Sequence, residues 1–423
     1  MNAALHSKAQ ALDAADPLAA LRAQFALAPG ADGTPATYLC GHSLGLMPLA
    51  ARQYVLQELD DWARLGVLGH HHAQRPWIGY AEQLTPALAR LAGARESEVI
   101  AMNSLSVNLH LLMASFYRPT ARRHCIVIEA GAFPSDRHAV ASQLAWHGIG
   151  EEALIEMAAA PGSEDCDESQ LEQLLAARGD DVALVLWPGV QYRSGRVFDL
   201  ARIAAAARRA GAHCGFDLAH AIGNVPLQLH DAEADFAAWC SYKYLNAGPG
   251  AIGGAFVHAR HQRAALPGLA GWWGHDPATR FQMGPQFQPA PGAAGWQVSN
   301  PPVLSAAPLL ASLPLFEAAG MQALRQKALT LTDLLFEQVE GRFAAHVQAL
   351  TPRQIAQRGN QLSLRLKAGR TAGRRVFEAL GRAGVIADWR EPDVLRIAVA
   401  PLYNSYADIA RFCAALAAAL ESA

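Results

Sequence analysis

Four polar side chains, Asp217, His220, Tyr242 and Lys243, interrupt the apolar, glycine-rich stretch spanning residues 212–257. Ionisable groups in such surroundings are expensive unless they are partnered or put to use. Ala212 to Phe216 reads as a short buried strand ending at Asp217, and Phe236 to Cys240 as a second one ending at Ser241-Tyr242-Lys243. Both clusters therefore fall at the carboxyl ends of strands, where open parallel sheets bind their ligands. A lysine beside a tyrosine, with an aspartate from a neighbouring strand, suits pyridoxal phosphate. The lysine forms the Schiff base, and a carboxylate against the ring nitrogen keeps it protonated so that the ring accepts electrons. A plainer reading makes Lys243 a loop lysine and Asp217 a helix cap, and spacing alone does not separate the two.

Elements before and after this stretch must build the rest of such a site. Glu98 to Asn103 reads as a strand and Ser106 to Phe116 as the helix behind it; the tight turn between them would aim backbone N–H groups and a helix dipole outward, as a phosphate cradle requires. Cys125 to Glu129 is a further apolar strand, followed by Phe133-Pro134-Ser135-Asp136, whose aromatic could lie on a ring while Ser135 and Asp136 reach its edge. Val182 to Trp187 as strand and Leu200 to Ala210 as helix complete an alternation that predicts an α/β fold, a mainly parallel sheet with helices on both faces. Asp16-Pro17 has the form of a helix start, and a helix from about Pro48 would bury Val55, Leu59 and Trp62. Residues 267–302 are irregular and rich in Gly, Pro and aromatics. From Val303 a long helical stretch, short strands near 346–350, 361–366 and 394–399, and closing helices predict a smaller α+β domain, with Arg396 in its last strand able to grip a carboxylate. The expected division is 1–50 packing with the small domain, 51–302 as the large cofactor-binding domain, and 303–423 as the small one.

Composition narrows the classes. The chain has 423 residues, with 35 Lys and Arg against 37 Asp and Glu, so no nucleic-acid or membrane-surface partner is expected. Lys8, Asp13 and Asp16 break the apolar run that a signal peptide needs, and no apolar stretch reaches the ~20 residues of a membrane span, so a soluble cytoplasmic protein is expected. Six cysteines, with no C-x-x-C pair, favour reduced core thiols. The run His70-His71-His72 invites a metal, but consecutive side chains seldom face one ion, and no metal is expected.

Over nearly its whole length the chain resembles the kynureninase family, of fold-type I pyridoxal phosphate enzymes. The matching motifs are Gly41-His42-Ser43-Leu44-Gly45, Arg75-Pro76-Trp77, Leu105-Ser106-Val107-Asn108-Leu109, Phe133-Pro134-Ser135-Asp136, Asp217-Leu218-Ala219-His220, Tyr242-Lys243-Tyr244-Leu245-Asn246, Gly271-Trp272-Trp273-Gly274-His275, Ser299-Asn300-Pro301-Pro302 and Pro401-Leu402-Tyr403-Asn404-Ser405. Each alone is weak; nine in order, at the predicted strand ends, are specific. The resemblance implies hydrolytic cleavage of the Cβ–Cγ bond of kynurenine or 3-hydroxykynurenine. Lys243 would carry pyridoxal 5'-phosphate, with Asp217 on its ring nitrogen, Phe133 stacked on the ring and His220 at its polar edge. Leu105, Ser106 and Tyr242 would hold its phosphate, and Pro134, Ser135 and Asp136 would complete the site. Tyr242 would relay the last proton. Implied too are a homodimer with shared active sites, Trp272 and Asn300 coming from the partner, and a substrate held by Arg396 at its carboxylate and by Ser43, His70, Ser299 and Asn300 at its ring. A ring hydroxyl would pair with His70 and Asn300, which favours the hydroxylated substrate.

Three departures stand out from the family's pattern. His42 replaces a usual asparagine, Ser106 a threonine, and Pro188 a small hydroxyl residue, for which Ser194 could supply a substitute hydroxyl. A cysteine desulfurase or class V aminotransferase would share Asp217, His220 and Lys243, and a non-catalytic scaffold is the remaining class. No cysteine sits in a glycine-rich loop between the lysine and the C-terminal domain, which disfavours the desulfurase.

Overall fold

The computed structural model describes residues 2–30, 33–262 and 266–422. Strands are numbered in chain order: β1 Thr37–Tyr38, β2 Val99–Ala101, β3 Cys125–Glu129, β4 Leu154–Met157, β5 Val182–Pro188, β6 His213–Asp217, β7 Phe236–Trp239, β8 Gly254–Val257, β9 Val347–Ala349, β10 Gln361–Leu366, β11 Val385–Ile386, β12 Asp388–Arg390 and β13 Val394–Ala398. The helices are α1 Asn2–Ala14, α2 Leu49–Leu65, α3 Gly69–His72, α4 Thr85–Ala92, α5 Leu105–Phe116, α6 Pro134–Trp146, α7 Glu168–Arg178, α8 Leu200–Ala210, α9 Val303–Ala319, α10 Met321–Glu340, α11 Gly369–Arg382 and α12 Tyr406–Ser422.

Seven strands form the large sheet in the order β2-β8-β7-β6-β5-β3-β4. The run from β7 to β4 is parallel, and β8 is antiparallel to both its neighbours. Strands such as Cys125–Glu129 and Phe236–Trp239 are buried along their whole length, as a sheet covered on both faces demands. A second sheet, β12-β13-β10-β9, is wholly antiparallel, and β1 pairs with β11. The α/β fold with a mainly parallel large sheet and a smaller α+β unit is therefore as expected.

Two apolar cores follow the two sheets. The larger one extends through α9, whose Ala306, Leu309, Leu313 and Phe316 join it, so apolar packing continues past residue 303. The smaller core gathers Leu5 and Ala9 of α1 with α10, α11, α12 and β13. There Asp13 accepts hydrogen bonds from the Tyr406 and Ala407 N–H groups (2.7 and 2.9 Å), so the end of α1 caps the start of α12. Among the described residues no single helix is long and apolar enough to cross a membrane; α9 and α10 pass that test only jointly, and they meet at a bend of 82°.

Two local expectations fail. The Asp16-Pro17 start yields only a 3-10 turn, Ala19–Gln24, because Asp16 accepts from Leu18 N–H (2.9 Å) and is held by Lys327 (2.8 Å). In α2 the buried stripe is only in part the expected one: Val55 packs half-buried against the large core, but Trp62 is 61% exposed and Leu59 37%, while Glu58 and Asp61 point inward. The reason is polar pairing across chain segments. Glu58 accepts from Arg75 Nε (2.8 Å), Trp77 Nε1 (2.9 Å) and Tyr80 Oη (3.0 Å), and Asp61 from Gln74 N–H (2.9 Å). The Arg75-Pro76-Trp77 motif is thus the segment that satisfies the inward carboxylates of α2.

Candidate active site

A pocket of about 200 Å³ opens at the carboxyl ends of the large sheet's strands. It is lined by Leu105, Ser106, Phe133, Ser135, Asp136, Asp217, His220, Tyr242 and Lys243, nine of the residues singled out from sequence, and also by Ser104, Glu129, Pro188, Val190, Tyr192 and Ala219.

Each side of it has a local cause. Asp217 ends β6; its carbonyl accepts from Gly189 N–H (2.8 Å), and its Oδ1 from Ala219 N–H (2.7 Å), so the carboxylate is fixed on the floor. Lys243 sits in a loop closed by Asn246 N–H on the Lys243 carbonyl (3.0 Å) and by Ala247 N–H on that of Ser241 (3.1 Å), with Asn246 in the left-handed region at φ 55°. The Lys243 amine stands 5.8 Å from the centre of the Phe133 ring and 5.9 Å from that of Tyr242. On the far wall, Asn103 takes φ 46° between β2 and α5, stabilised by its side chain on Asn108 Oδ1 (3.0 Å) and by its carbonyl on Gly253 N–H (2.7 Å). That turn brings the first residues of α5 to the pocket, with Ser106 Oγ 2.7 Å from Ser135 Oγ at the start of α6. Two helix N-termini and two hydroxyls together make an anion cradle.

Electrostatics divide the carboxyls into roles. Burial, and then the charge of and a hydrogen bond to Asp217, push Asp136 well above the carboxylate range. Burial and the nearby Asp165 charge push Glu129 up to about 8. His220 is held well below its ordinary value by burial and by the Lys243 and Arg396 cations, so its ring is neutral. Burial raises the Tyr242 hydroxyl, with Cys240 adding to the shift, so it keeps its proton near neutral pH.

The cofactor implied by the resemblance fits these groups. Buried Asp136 Oδ1 and His220 Nδ1 have no hydrogen-bond partner among the described residues. Such atoms are costly unless a bound group satisfies them. A ring nitrogen over Asp217, a phosphate at Ser106 and Ser135, and an aldehyde at Lys243 would match the pocket's chemistry.

The remaining expected residues lie elsewhere. Pro134 opens α6 beside the pocket without lining it. Ser43 is half-buried in the loop before α2, and His70 packs edge-on against Trp77 at 5.5 Å. Trp272 is 43% exposed with its Nε1 on the Arg280 carbonyl, and Ser299 and Asn300 are exposed. None of these lines the pocket within one chain. Arg396 is buried behind Tyr192, its Nε on Asp388 Oδ2 (2.6 Å) and its Nη1 on the Tyr192 carbonyl (2.5 Å). Ser194 does not replace the hydroxyl missing at Pro188: it is buried outside the pocket and accepts from Arg196 N–H (3.2 Å).

Sequence reasoning missed Glu129, Tyr192 and Asp388. Glu129 had the same signal that exposed Asp217, an acid closing an apolar strand. Two histidine–carboxylate clusters were not anticipated either, Glu98 with His230 and His258, and Asp235 with His213 and His261. Their atoms are engaged in the fold: Glu98 accepts from Arg95 and Ala259 N–H, His258 Nδ1 from Arg260 N–H, and Asp235 from Cys214 N–H and the Arg260 guanidinium.

A profile described as the kynureninase C-terminal domain matches residues 324–416. A protein named kynureninase from Xanthomonas axonopodis pv. citri (strain 306) is 56% identical over 405 residues, 96% of each chain. Another from Stenotrophomonas maltophilia (strain K279a) is 54% identical over 404 residues, 95% of each. Among solved structures, a C-DES mutant with glycine covalently linked to its PLP cofactor superposes with TM-score 0.78 at 20% identity, over 94% of this chain and 98% of that one. The cysteine desulfurase CsdA from Escherichia coli gives 0.76 at 18%, over 96% and 98%. At such identities the structural likeness speaks for the fold alone.

Proposed function

The chain belongs to the kynureninase family and uses pyridoxal phosphate, and on that premise we propose that it hydrolyses the Cβ–Cγ bond of L-3-hydroxykynurenine in preference to L-kynurenine, releasing 3-hydroxyanthranilate or anthranilate with L-alanine. The observation that carries the reading is one pocket lined by Lys243, Asp217, Phe133 and the Ser106–Ser135 pair, in a chain 56% identical to proteins of that name.

The cofactor, when bound, supplies an electron sink for charge developing on the substrate's α- and β-carbons. The protein supplies the rest. Lys243 Nζ would hold the cofactor and, when free of it, would take the proton from the substrate's Cα. Asp217, beside Asp136 whose proton burial favours, would hold the ring-nitrogen proton in place. Phe133 would cover one face of the ring, and Ser106, Ser135 and the N-terminus of α5 would take the phosphate. Arg396 takes the α-carboxylate, and Ser43, His70, Ser299 and Asn300 address the aromatic ring. Water adds to the γ-carbonyl, the Cβ–Cγ bond breaks toward Cβ, the oxygen stays on the ring fragment as a carboxylate, and Tyr242 Oη delivers the proton that completes alanine. Trp272, Ser299 and Asn300 are surface groups in one chain, which supports a homodimer in which the partner brings them to the pocket. We place this dimer in the cytoplasm.

A desulfurase chemistry is disfavoured by the thiols. Five of the six cysteines are buried, and burial raises even half-buried Cys40 to about 11, far from an activated thiolate. Incubating the holoenzyme with each kynurenine and following ring-product fluorescence tests the proposal. Faster release from the hydroxylated substrate is expected, and no ring product from either overturns it.

A further inference from the structure

His42 is wholly buried, yet neither ring nitrogen has a hydrogen-bond partner among the described residues. Such a side chain costs stability unless some other state of the protein uses it. Its position is not accidental: the loop carrying it is tied to β13 through Ala398 N–H on the Leu39 carbonyl (2.9 Å) and a bridge between Cys40 and Ala398. The His42 ring lies 6.0 Å from that of His220, a pocket residue. On its other side is Asp388, directly opposite Arg396 in the β12–β13 pairing. One oxygen, Asp388 Oδ2, accepts from both Arg396 Nε (2.6 Å) and Arg390 Nε (2.9 Å), and His42 Nε2 stands 3.9 Å from that same oxygen. Burial and the Arg396, Lys243 and Arg390 cations hold the imidazole well below its ordinary value, so it is neutral and carries one N–H.

Three donors thus surround one carboxylate oxygen, two engaged and one just out of reach. Resting on the reading that Arg396 takes the substrate's α-carboxylate, we infer that His42 is a positioning residue: when Arg396 leaves Asp388 Oδ2 for the substrate, His42 Nε2–H moves in to replace it. Without that replacement, each binding event would strip a part-buried carboxylate of a charged donor, and Arg396 would be drawn back to it. The exchange makes Arg396 available at little net loss of hydrogen bonding. Asparagine, the residue usual at this place in the family, also offers an N–H there, whereas an apolar side chain does not.

The probe is 4-(2-aminophenyl)-4-oxobutanoate, which has the ring, ketone and carboxylate of kynurenine but no α-amino group to displace Lys243. Its dissociation constant is measured calorimetrically on the holoenzyme. His42→Leu should weaken it about tenfold, the scale of one charge-assisted hydrogen bond, and His42→Asn should restore it. Asp388→Asn removes the charge that needs the replacement, so in that background His42→Leu should change the affinity by less than about twofold. Equal affinity of His42→Leu and wild type, alongside a loss in Arg396→Lys, overturns the inference while leaving the Arg396 assignment standing. Unchanged binding by Arg396→Lys overturns both. If His42→Leu does not fold, tighter binding by Asp388→Asn supports the exchange, and weaker binding by that variant overturns it.

Discussion

Glu129 lies 2% exposed on the pocket wall, with Oε1 accepting from Gln191 Nε2 (3.1 Å), and burial and the nearby Asp165 charge push its pKa from 4.5 up to about 8. A carboxyl whose native value exceeds its unfolded value contributes its full stability below the unfolded value and loses it as pH rises through the native one. Between the two, the unfolded chain has given up its proton and the native chain still holds it. At ~1.4 kcal/mol per unit, flattening near 8, the loss from pH 6 to pH 8 is about 2 kcal/mol. With ~2.1 cal/mol/K per residue over 423 residues, that is about 2–3 °C in Tm. Glu129→Gln keeps the acceptor for Gln191 and removes the titration. Thermal melts of the apoprotein and its variant across this range should therefore diverge, the variant gaining about 2–3 °C relative to wild type toward alkaline pH. Taking the difference cancels the titrating groups that do not interact with Glu129. A difference that stays flat with pH would refute the assignment of a proton to buried Glu129.

Lys243→Ala should abolish both turnover and the visible absorbance of the lysine-bound cofactor; full turnover by that variant would end the assignment of the lysine. Gly45→Ala should lower kcat on the order of 100-fold while the fold survives, because a Cβ there would overlap the Lys243 carbonyl oxygen and lie 2.8 Å from Asn246 Cα, forcing the lysine loop to shift; a kcat within a factor of two of wild type contradicts it. Asn300→Thr should reduce kcat/KM for 3-hydroxykynurenine more than for kynurenine, by about tenfold, since only the former would lose a hydroxyl contact. Equal losses on both substrates would remove Asn300 from ring recognition.

What sequence could show and what it could not follow from where each group's partners lie. Asp217 and Lys243 were legible because each ends an apolar strand or its following loop, so position along the chain alone marks them as exceptional. The cradle at Ser106 was legible because strand, turn and helix are contiguous there. Glu129 carries the same local mark, an acid closing an apolar strand. The inverted α2 was not legible at all: apolar spacing along that helix points to Leu59 and Trp62, while Arg75, Trp77 and Tyr80, which reverse it, come after the helix has ended. Asp388 and its neighbours were hidden for a stronger version of the same reason, since His42 and Arg396 reach it from opposite ends of the chain.

That distribution has a physical consequence for how the site must assemble. On the proposed reading, the groups that would hold the cofactor belong to the large sheet and its core, and Arg396, which would take the carboxylate, with its partner Asp388 to the small antiparallel sheet. One segment joining them is the loop Gly41–Gly45. Leu39 and Cys40, just before it, are tied to β13, and Gly45 N–H bonds the Tyr242 carbonyl of the lysine loop (2.9 Å). Any change that loosens this loop moves Lys243 relative to Arg396, hence the cofactor relative to the substrate's carboxylate, without touching either ligand. Near-attack geometry tolerates only fractions of an ångström. Substitutions in the loop should therefore lower kcat well beyond what they take from stability, whereas substitutions in either core should do the reverse.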